Sequence, residues 1–195
     1  SSSTDPTRTG LTTATDACPS GALTANVWIN EFHYDNIGTD VGESIEVAGV
    51  AGLDLSTYSL VLYDGANGRP YDTINLSGVI PDEGCGFGSL AFVASVPPGI
   101  PWLENGQTGA VTADGIALVT SPNDQVIQFL SYEGSLVGLA GPAAGLSSVD
   151  VGVSESESTT PIGYSLQLTG TGARASQFSW SGPAAASPGQ LNVGQ

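Results

Sequence analysis

Residues 27–47, VWINEFHYDNIGTDVGESIEV, are the stretch that decides the fold. They predict two strands, VWINEFHY and ESIEV, on either side of the acidic turn DNIGTDVG. Five carboxylates fall between Glu31 and Glu46, and no Lys or Arg lies among them. Such a cluster must stay solvated, bind a cation or meet a basic partner.

The same strand pattern continues along the chain. Further runs rich in Val, Ile, Tyr and Phe are YSLVLYD, YDTINLS, GSLAFVA, GIALVT, VIQFLSYE, GYSLQLTG and QFSWSG, and Gly and Pro separate them. Helical periodicity is nearly absent, so the chain predicts an all-β domain with few or no helices. VIQFLSYE is apolar on both faces, which favours a central strand. The polar, acidic residues 147–161 predict an exposed loop.

Strand alternation also predicts which side chains share a face. It places Val27, Ile29, Glu31 and His33 on one face, and Trp28, Asn30, Phe32 and Tyr34 on the other. Trp28 and Trp180 are both interpreted as core residues.

The charge balance excludes several classes of function. Three Arg and no Lys stand against 19 acidic residues, which gives a net charge of −16. This charge repels nucleic acid and anionic lipid and attracts divalent cations or basic partners. No apolar run is long enough to span a membrane.

Catalytic residue sets are hard to assemble from this composition. His33 is the single histidine, and no G-x-S-x-G motif occurs. A metal-dependent nuclease needs several His and a positive surface. Glu31 and Glu46 could form a glycosidase pair if their strands lie together, but sandwich strands commonly carry outward Glu. The sequence therefore predicts a protein that is not an enzyme.

The acidic turn is the best candidate for a metal site. Asp35, Asn36, Asp40 and Glu43 offer the hard oxygen ligands that calcium prefers, with a glycine to allow the turn. The spacing is not that of an EF-hand. The alternative is a solvated turn rich in Asp and Asn. Residues 150–157 are a second, weaker calcium candidate.

Several pieces of the chain, in order, carry a family resemblance. INEFHYDN, GESIEV, YSLVLYDG, YDTINLSG, IPDEGCGFGSLAF and the terminal FSWSGPAAASPGQLNVGQ resemble the lamin tail domain, and more narrowly its bacterial secreted branch. The resemblance covers about residues 24–195. It implies an immunoglobulin-like β-sandwich that serves as a binding or anchoring module on surface proteins or beside secreted hydrolases.

The two cysteines, Cys18 and Cys85, are too few for a zinc site. In an exported chain they predict a disulfide, and Cys85 is not part of the family pattern. This bond would pin a Ser/Thr-rich arm or linker, residues 1–22, to the domain of residues 23–195. The long closed loop would stabilise the fold by ~4 kcal/mol in the chain-entropy model.

These observations leave two classes of function. The first is a secreted or cell-surface, non-catalytic module that binds a surface, a polysaccharide or a partner protein. Trp102, in the Pro-rich run PPGIPWLENG, is the candidate for stacking on a sugar or a partner surface, and packing against the sandwich is the alternative. The second is a structural subunit that self-assembles when its N-terminal arm adds a strand to a neighbour's open edge. An accessory domain of a secreted nuclease or phosphatase is a further alternative.

Overall fold

The structure, a computed structural model, describes residues 27–93, 103 and 113–195. Ten strands occur in these ranges: β1 (Val27–His33), β2 (Ser44–Val50), β3 (Tyr58–Asp64), β4 (Arg69–Asn75), β5 (Phe87–Val93), β6 (Asp114–Thr120), β7 (Val126–Tyr132), β8 (Val149–Asp150), β9 (Tyr164–Thr169) and β10 (Ser179–Ala185). The helical structure within them is two short 3₁₀ turns, Leu55–Thr57 and Ala175–Gln177.

The strands form two five-stranded sheets packed on each other. The first sheet has the order β10-β9-β1-β2-β5, and the second has the order β4-β3-β6-β7-β8. Neighbouring strands are antiparallel except for β7 and β8, which are parallel. The main apolar core combines Ile29 and Ile45 of the first sheet with Leu60 and Ile116 of the second. The predicted all-β sandwich is confirmed.

Aromatic rings join the two sheets at the centre of this core. The ring centroids of Tyr34 and Tyr132 lie 4.2 Å apart in a stacked arrangement. Phe32 of β1 packs against Tyr132 of β7 at 5.5 Å and meets the edge of Trp180 at 5.1 Å. Such pairs stabilise a core beyond the area that they bury, and they fix β1 against β7.

A β-bulge in β1 corrects the predicted faces of that strand. Ile29 is opposite Val47 and Glu31 is opposite Glu46, so Asn30 is an extra residue in the ladder. The side chains that belong to the main core are Val27, Ile29, Phe32 and Tyr34, whereas Trp28 belongs to a separate cluster. Because one inserted residue reverses the alternation, the predicted grouping of side chains is wrong beyond Asn30.

The segment after β7 is more ordered than predicted. Residues 147–161 contain the short strand β8, and the side chains of Val151, Glu155 and Thr160 are buried. The prediction of an exposed loop is wrong for these residues. β8 pairs only with Leu130 and Ser131, so β7 is central over a small part of its length. Within the described ranges, no helix is long and apolar enough to cross a membrane.

Candidate functional site

The predicted calcium turn is organised by the side chain of Asn36. This buried amide donates from Nδ2 to the carbonyl oxygens of Ile37 at 3.2 Å and Thr39 at 3.0 Å, and its Oδ1 accepts from the N–H of Val41 at 3.1 Å. Asp40 Oδ1 accepts from the N–H of Asn36 at 3.2 Å. The turn therefore satisfies much of its own backbone through Asx-type hydrogen bonds.

The other two predicted ligands, Asp35 and Glu43, are both buried. Glu43 Oε2 accepts from the N–H of Leu103 at 2.7 Å. Asp35 Oδ1 is buried without a hydrogen-bond donor. Burial, and then the neighbouring Asp40 carboxylate, raise the pKa of Asp35 to about 6.

The four predicted ligands therefore share one loop, but three of them, Asn36, Asp40 and Glu43, use a side-chain oxygen to accept a backbone N–H. Among residues 27–93, 103 and 113–195, no three His, Cys, Asp or Glu side chains converge as a metal-binding group. Calcium at this turn stays a prediction.

His33 makes a buried ion pair that the sequence did not indicate. Its Nδ1 lies 2.9 Å from Glu155 Oε1, and both side chains are almost completely enclosed. Glu155 Oε2 also accepts from the N–H groups of Tyr34 at 2.6 Å and Asp35 at 2.9 Å. One carboxylate thus ties the end of β1 to the segment after β8.

The second ring nitrogen of His33 is also engaged. Nε2 lies 3.2 Å from Asn36 Oδ1 and 3.2 Å from the carbonyl oxygen of Val41, both of which accept hydrogen bonds. Burial lowers the pKa of His33, but the hydrogen bond and charge of Glu155, with these two contacts, raise it above the usual value. His33 lines neither of the two cavities described below.

Glu31 and Glu46 do lie side by side, as a glycosidase pair would require. They are opposite each other in the β1–β2 ladder and both are buried. Glu31 accepts from the hydroxyl of Ser165 at 2.9 Å and from the N–H of Ser187 at 3.0 Å. Glu46 accepts from Asn30 Nδ2 at 2.9 Å and from the N–H of Gly189 at 2.7 Å.

Burial disfavours the charged form of both carboxyl groups. Burial raises the pKa of Glu46 to about 7, and the charge of Glu31 adds to this rise while the hydrogen bonds oppose it. Burial also raises the pKa of Glu31. A carboxyl group with a raised pKa suits general acid catalysis, but a substrate would have to reach Glu31 and Glu46.

The C-terminal segment, residues 186–195, lies over this pair. Besides Ser187 and Gly189, Leu191 donates its N–H to Glu83 Oε2 at 2.6 Å. Asn192 Nδ2 donates to the carbonyl oxygens of Asn30 at 3.1 Å and Leu168 at 3.0 Å. The carboxylates therefore hold the end of the chain, and the pair does not line either of the cavities described below.

One cavity of the described residues is a groove at the side of the sandwich, with a volume of about 560 Å³. We call it the edge groove. Its lining residues are Val126–Leu130, Leu146, Ser147, Val149, Leu168, Ala175, Ser176, Phe178 and Trp180, and none of these is charged. Three of them are exposed apolar side chains: Ile127 at 39%, Leu146 at 44% and Val149 at 65%.

The edge groove runs beside an open strand edge. Val151 donates its N–H to the carbonyl oxygen of Ser131 at 2.9 Å, which shows the side of β7 that faces β8. Phe129 lies two residues earlier, so its backbone groups point to the same side. Beyond Leu130 and Ser131, no strand of the described chain pairs with this side of β7.

The other sheet edges carry features that discourage pairing. β4 contains Arg69, Pro70 and Asp72, and β10 contains Pro183. The turn before β5 folds over the start of that strand, where Glu83 donates its N–H to the carbonyl oxygen of Phe87 at 2.9 Å. Proline, charged side chains and a covering loop usually prevent an edge strand from pairing with another chain. Residues 126–129, VIQF, carry neither proline nor charge, and the irregularity of this edge is a bulge at Ile127.

A smaller cavity of about 260 Å³ lies on the outer side of the first sheet. Trp28, Phe87 and Phe178 line it, and Trp28 stacks on Phe178 with ring centroids 5.7 Å apart. Cys85 lies at its rim and is disulfide-bonded. Its predicted partner Cys18 lies outside the described residues, as does Trp102, so the pairing and the sugar-stacking role both stay predictions.

Sequence reasoning missed Glu155 and the edge groove for different reasons. Glu155 stands among Ser and Thr residues that look solvated, and no local pattern indicates its contact with His33. The groove did leave a signal in the sequence, because VIQF has apolar side chains on both faces of the sheet. Its backbone edge is nevertheless unpaired, within the described chain, on the side of β8. That signal was interpreted as a central strand.

No known protein family model, curated protein or solved structure matches this chain. The resemblance to lamin tail domains accordingly remains a prediction from the sequence.

Proposed function

We propose that this domain is a non-catalytic binding module that takes an extended segment of a protein partner into the edge groove. The observation that carries the proposal is the coincidence of an open β7 edge with uncharged apolar walls. An added strand would gain backbone hydrogen bonds from the edge and side-chain burial from the walls. The regular part of β7 in the groove, residues 128–130 after the bulge at Ile127, would align a partner segment of about 10 Å.

The chemistry of the groove favours a peptide over a polysaccharide or a cation. Its described lining has no carboxylate or guanidinium, and its polar side chains are Gln128, Ser147 and Ser176. Gln128 is already used, because its Oε1 accepts from the N–H of Ile29 at 2.7 Å. Exposed Ile127 and Val149 would gain most from a partner that removes them from water.

The remaining parts of the proposal rest on the sequence. The resemblance to secreted lamin tail domains and the high acidity support an extracellular or cell-surface location. A disulfide between Cys18 and Cys85 is in keeping with that location. Calcium at the acidic turn would add stability without taking part in recognition.

Panning a random-peptide phage library on the immobilised protein, alongside a glycan array, tests this function. We expect selected peptides rich in β-branched residues. Calorimetry should show their affinity falling roughly tenfold or more in Val149→Asp. The matched control is Ile162→Asp, because Ile162 is equally exposed, at 64%, and lies outside the groove. Equal binding to both variants, or glycan binding without peptide binding, would overturn the proposal.

A further inference from the structure

We infer that the smaller cavity, on the outer side of the first sheet, binds the guanidinium side chain of an arginine that a protein partner presents. We call this cavity the aromatic pocket. Its described lining combines three aromatic rings with one charged side chain, the carboxylate of Glu83. The inference goes beyond the proposed function, because this chemistry differs from that of the uncharged edge groove.

The three rings give the aromatic pocket its apolar surface. The ring centroid of Trp28 lies 6.0 Å from that of Phe87 and 5.7 Å from that of Phe178. Trp28 and Phe87 are almost completely buried, whereas Phe178 is half-buried. Leu191 packs against the same cluster and also lines the pocket. The alkyl stem of a long side chain gains burial on such a surface, and aromatic rings attract the cation at its end.

The carboxylate of Glu83 is held beside these rings by two backbone groups. Its Oε2 accepts from the N–H of Leu191 at 2.6 Å, and its Oε1 accepts from the N–H of Ser89 at 3.2 Å. A carboxylate oxygen has two lone pairs, so each of these oxygens can accept a further hydrogen bond. Because Glu83 is also exposed, the fold orients a carboxylate that the two parallel N–H groups of a guanidinium can reach.

The amide side chains of the lining hold the C-terminal segment instead. Asn192 Nδ2 donates to two backbone carbonyl oxygens, at 3.1 Å and 3.0 Å. Gln195 Nε2 donates to Asn30 Oδ1 at 2.8 Å, and the indole N–H of Trp28 donates to the same oxygen at 3.1 Å. Glu83 is thus the side chain of the described lining that selects a ligand by charge, and it selects a cation.

The size of the pocket and the charge of the chain indicate a side chain of a basic protein. The volume of about 260 Å³ lies below the range of about 300–1,000 Å³ that is usual for drug-sized ligands. The net charge of −16 attracts a basic partner at long range. Arginine fits better than lysine, because its planar guanidinium stacks on aromatic rings and meets both oxygens of a carboxylate.

An NMR titration of the full, isotope-labelled chain with its disulfide intact tests the site, in about 0.15 M salt. The probes are Nα-acetyl-arginine N-methylamide and its citrulline equivalent, which has a neutral side chain of nearly the same shape. We expect the arginine probe to shift the amide signals of Gly84 and Leu191, and the citrulline probe to bind roughly fivefold more weakly. The lysine equivalent should also bind more weakly than arginine. Ile127 lines the edge groove and not the aromatic pocket, so its signal should stay in place.

Two variants locate the charge that is recognised. Glu83→Gln should weaken arginine binding roughly fivefold. Asp82→Asn is the control, because Asp82 is equally exposed in the same turn and does not line the pocket. Glu83→Gln also changes an acceptor of the Leu191 N–H, so Thr171→Arg is the second variant. It places a competing cation at the exposed rim and should weaken binding as well, whereas Thr159→Arg adds the same charge outside the pocket and should not.

Several results would overturn the inference. They are an arginine probe that leaves Gly84 unshifted or shifts Ile127 instead, equal binding of arginine and citrulline, and equal arginine binding to Glu83→Gln and Asp82→Asn. Lysine binding as tight as arginine binding would refute the choice of a guanidinium. The proposed function is judged separately at Ile127, so phage-selected peptides would still bind the edge groove if the aromatic pocket bound nothing.

Discussion

At the scale of single residues, the buried carboxylates of this protein accept hydrogen bonds from backbone N–H groups, and one of them contacts His33. Glu155 accepts from two backbone N–H groups and holds the ring of His33. Removing one partner from a buried ion pair is costly because the other charge is left without compensation. Loss of either partner would therefore destabilise the junction between the acidic turn and the segment after β8.

We predict that Glu155→Gln lowers the free energy of unfolding by about 3 kcal/mol at pH 6. The sign follows from the raised pKa of His33. The pair stabilises the fold fully below the unfolded pKa of histidine and loses this effect as pH rises through the folded value. Urea unfolding followed by tryptophan fluorescence measures the change. Glu157→Gln is the control because Glu157 is exposed, and an equal loss in both variants would contradict the ion-pair role.

Calcium at the acidic turn can be tested at the same scale. Asp35 and Asp40 are the predicted ligands that lie next to each other, and a bound cation would remove their repulsion. Calcium at 100 times its dissociation constant should stabilise the fold by about 2.7 kcal/mol, and Asp35→Asn should abolish the effect. Thermal melting with calcium and with chelator measures it. Identical melting temperatures in the wild type would refute the prediction.

At the scale of elements, one extra residue in β1 changes which side chains of this strand face the core. The bulge at Asn30 leaves Phe32 in the core and brings Glu31 opposite Glu46. The C-terminal segment then covers these carboxylates and uses them as hydrogen-bond acceptors. The position of this segment therefore depends on acceptors in β1 and β2.

We predict that Glu31→Ala loosens the C-terminal segment and that Glu31→Gln does so much less. Gln keeps an oxygen that can accept from Ser187, whereas Ala leaves that N–H without a partner, at a cost of about 1–3 kcal/mol. Hydrogen exchange at the amides of Ser187 and Gly189 should become faster in the Ala variant. Unchanged exchange there would show that the segment is held by other contacts.

At the scale of the whole molecule, the sandwich keeps several acids in surroundings that favour the neutral form. Burial raises the pKa of Glu31, of Asp35 to about 6, and of Glu46 to about 7. A folded state with raised acid pKa values binds more protons than the unfolded chain between about pH 4.5 and 7. Its stability therefore falls as pH rises through that range.

We predict that the free energy of unfolding is greater at pH 5 than at pH 8, and that Glu46→Gln flattens this dependence. Glu46 alone contributes on the order of 3 kcal/mol to the difference. Urea unfolding across the range measures it, in 1 M salt so that surface repulsion is screened and the effect of burial remains. Asp150→Asn is the exposed control. A slope unchanged by Glu46→Gln would show that burial of this group is not its origin.

The sequence by itself determined the class of the fold and the positions of its strands along the chain. Every predicted strand run overlaps an observed strand, because Gly and Pro punctuation and β-branched composition act locally. Trp28 was rightly predicted to be buried.

Only the tertiary structure decided which polar residues meet. His33 and Glu155 are 122 positions apart, and Glu31 reaches Ser187 across 156 positions. Contacts at such separations depend on sheet order and on a single bulge, neither of which has a local signature. The local sequence of residues 27–47 thus determines a strand pair, while the contacts of its carboxylates are made by segments that fold over it.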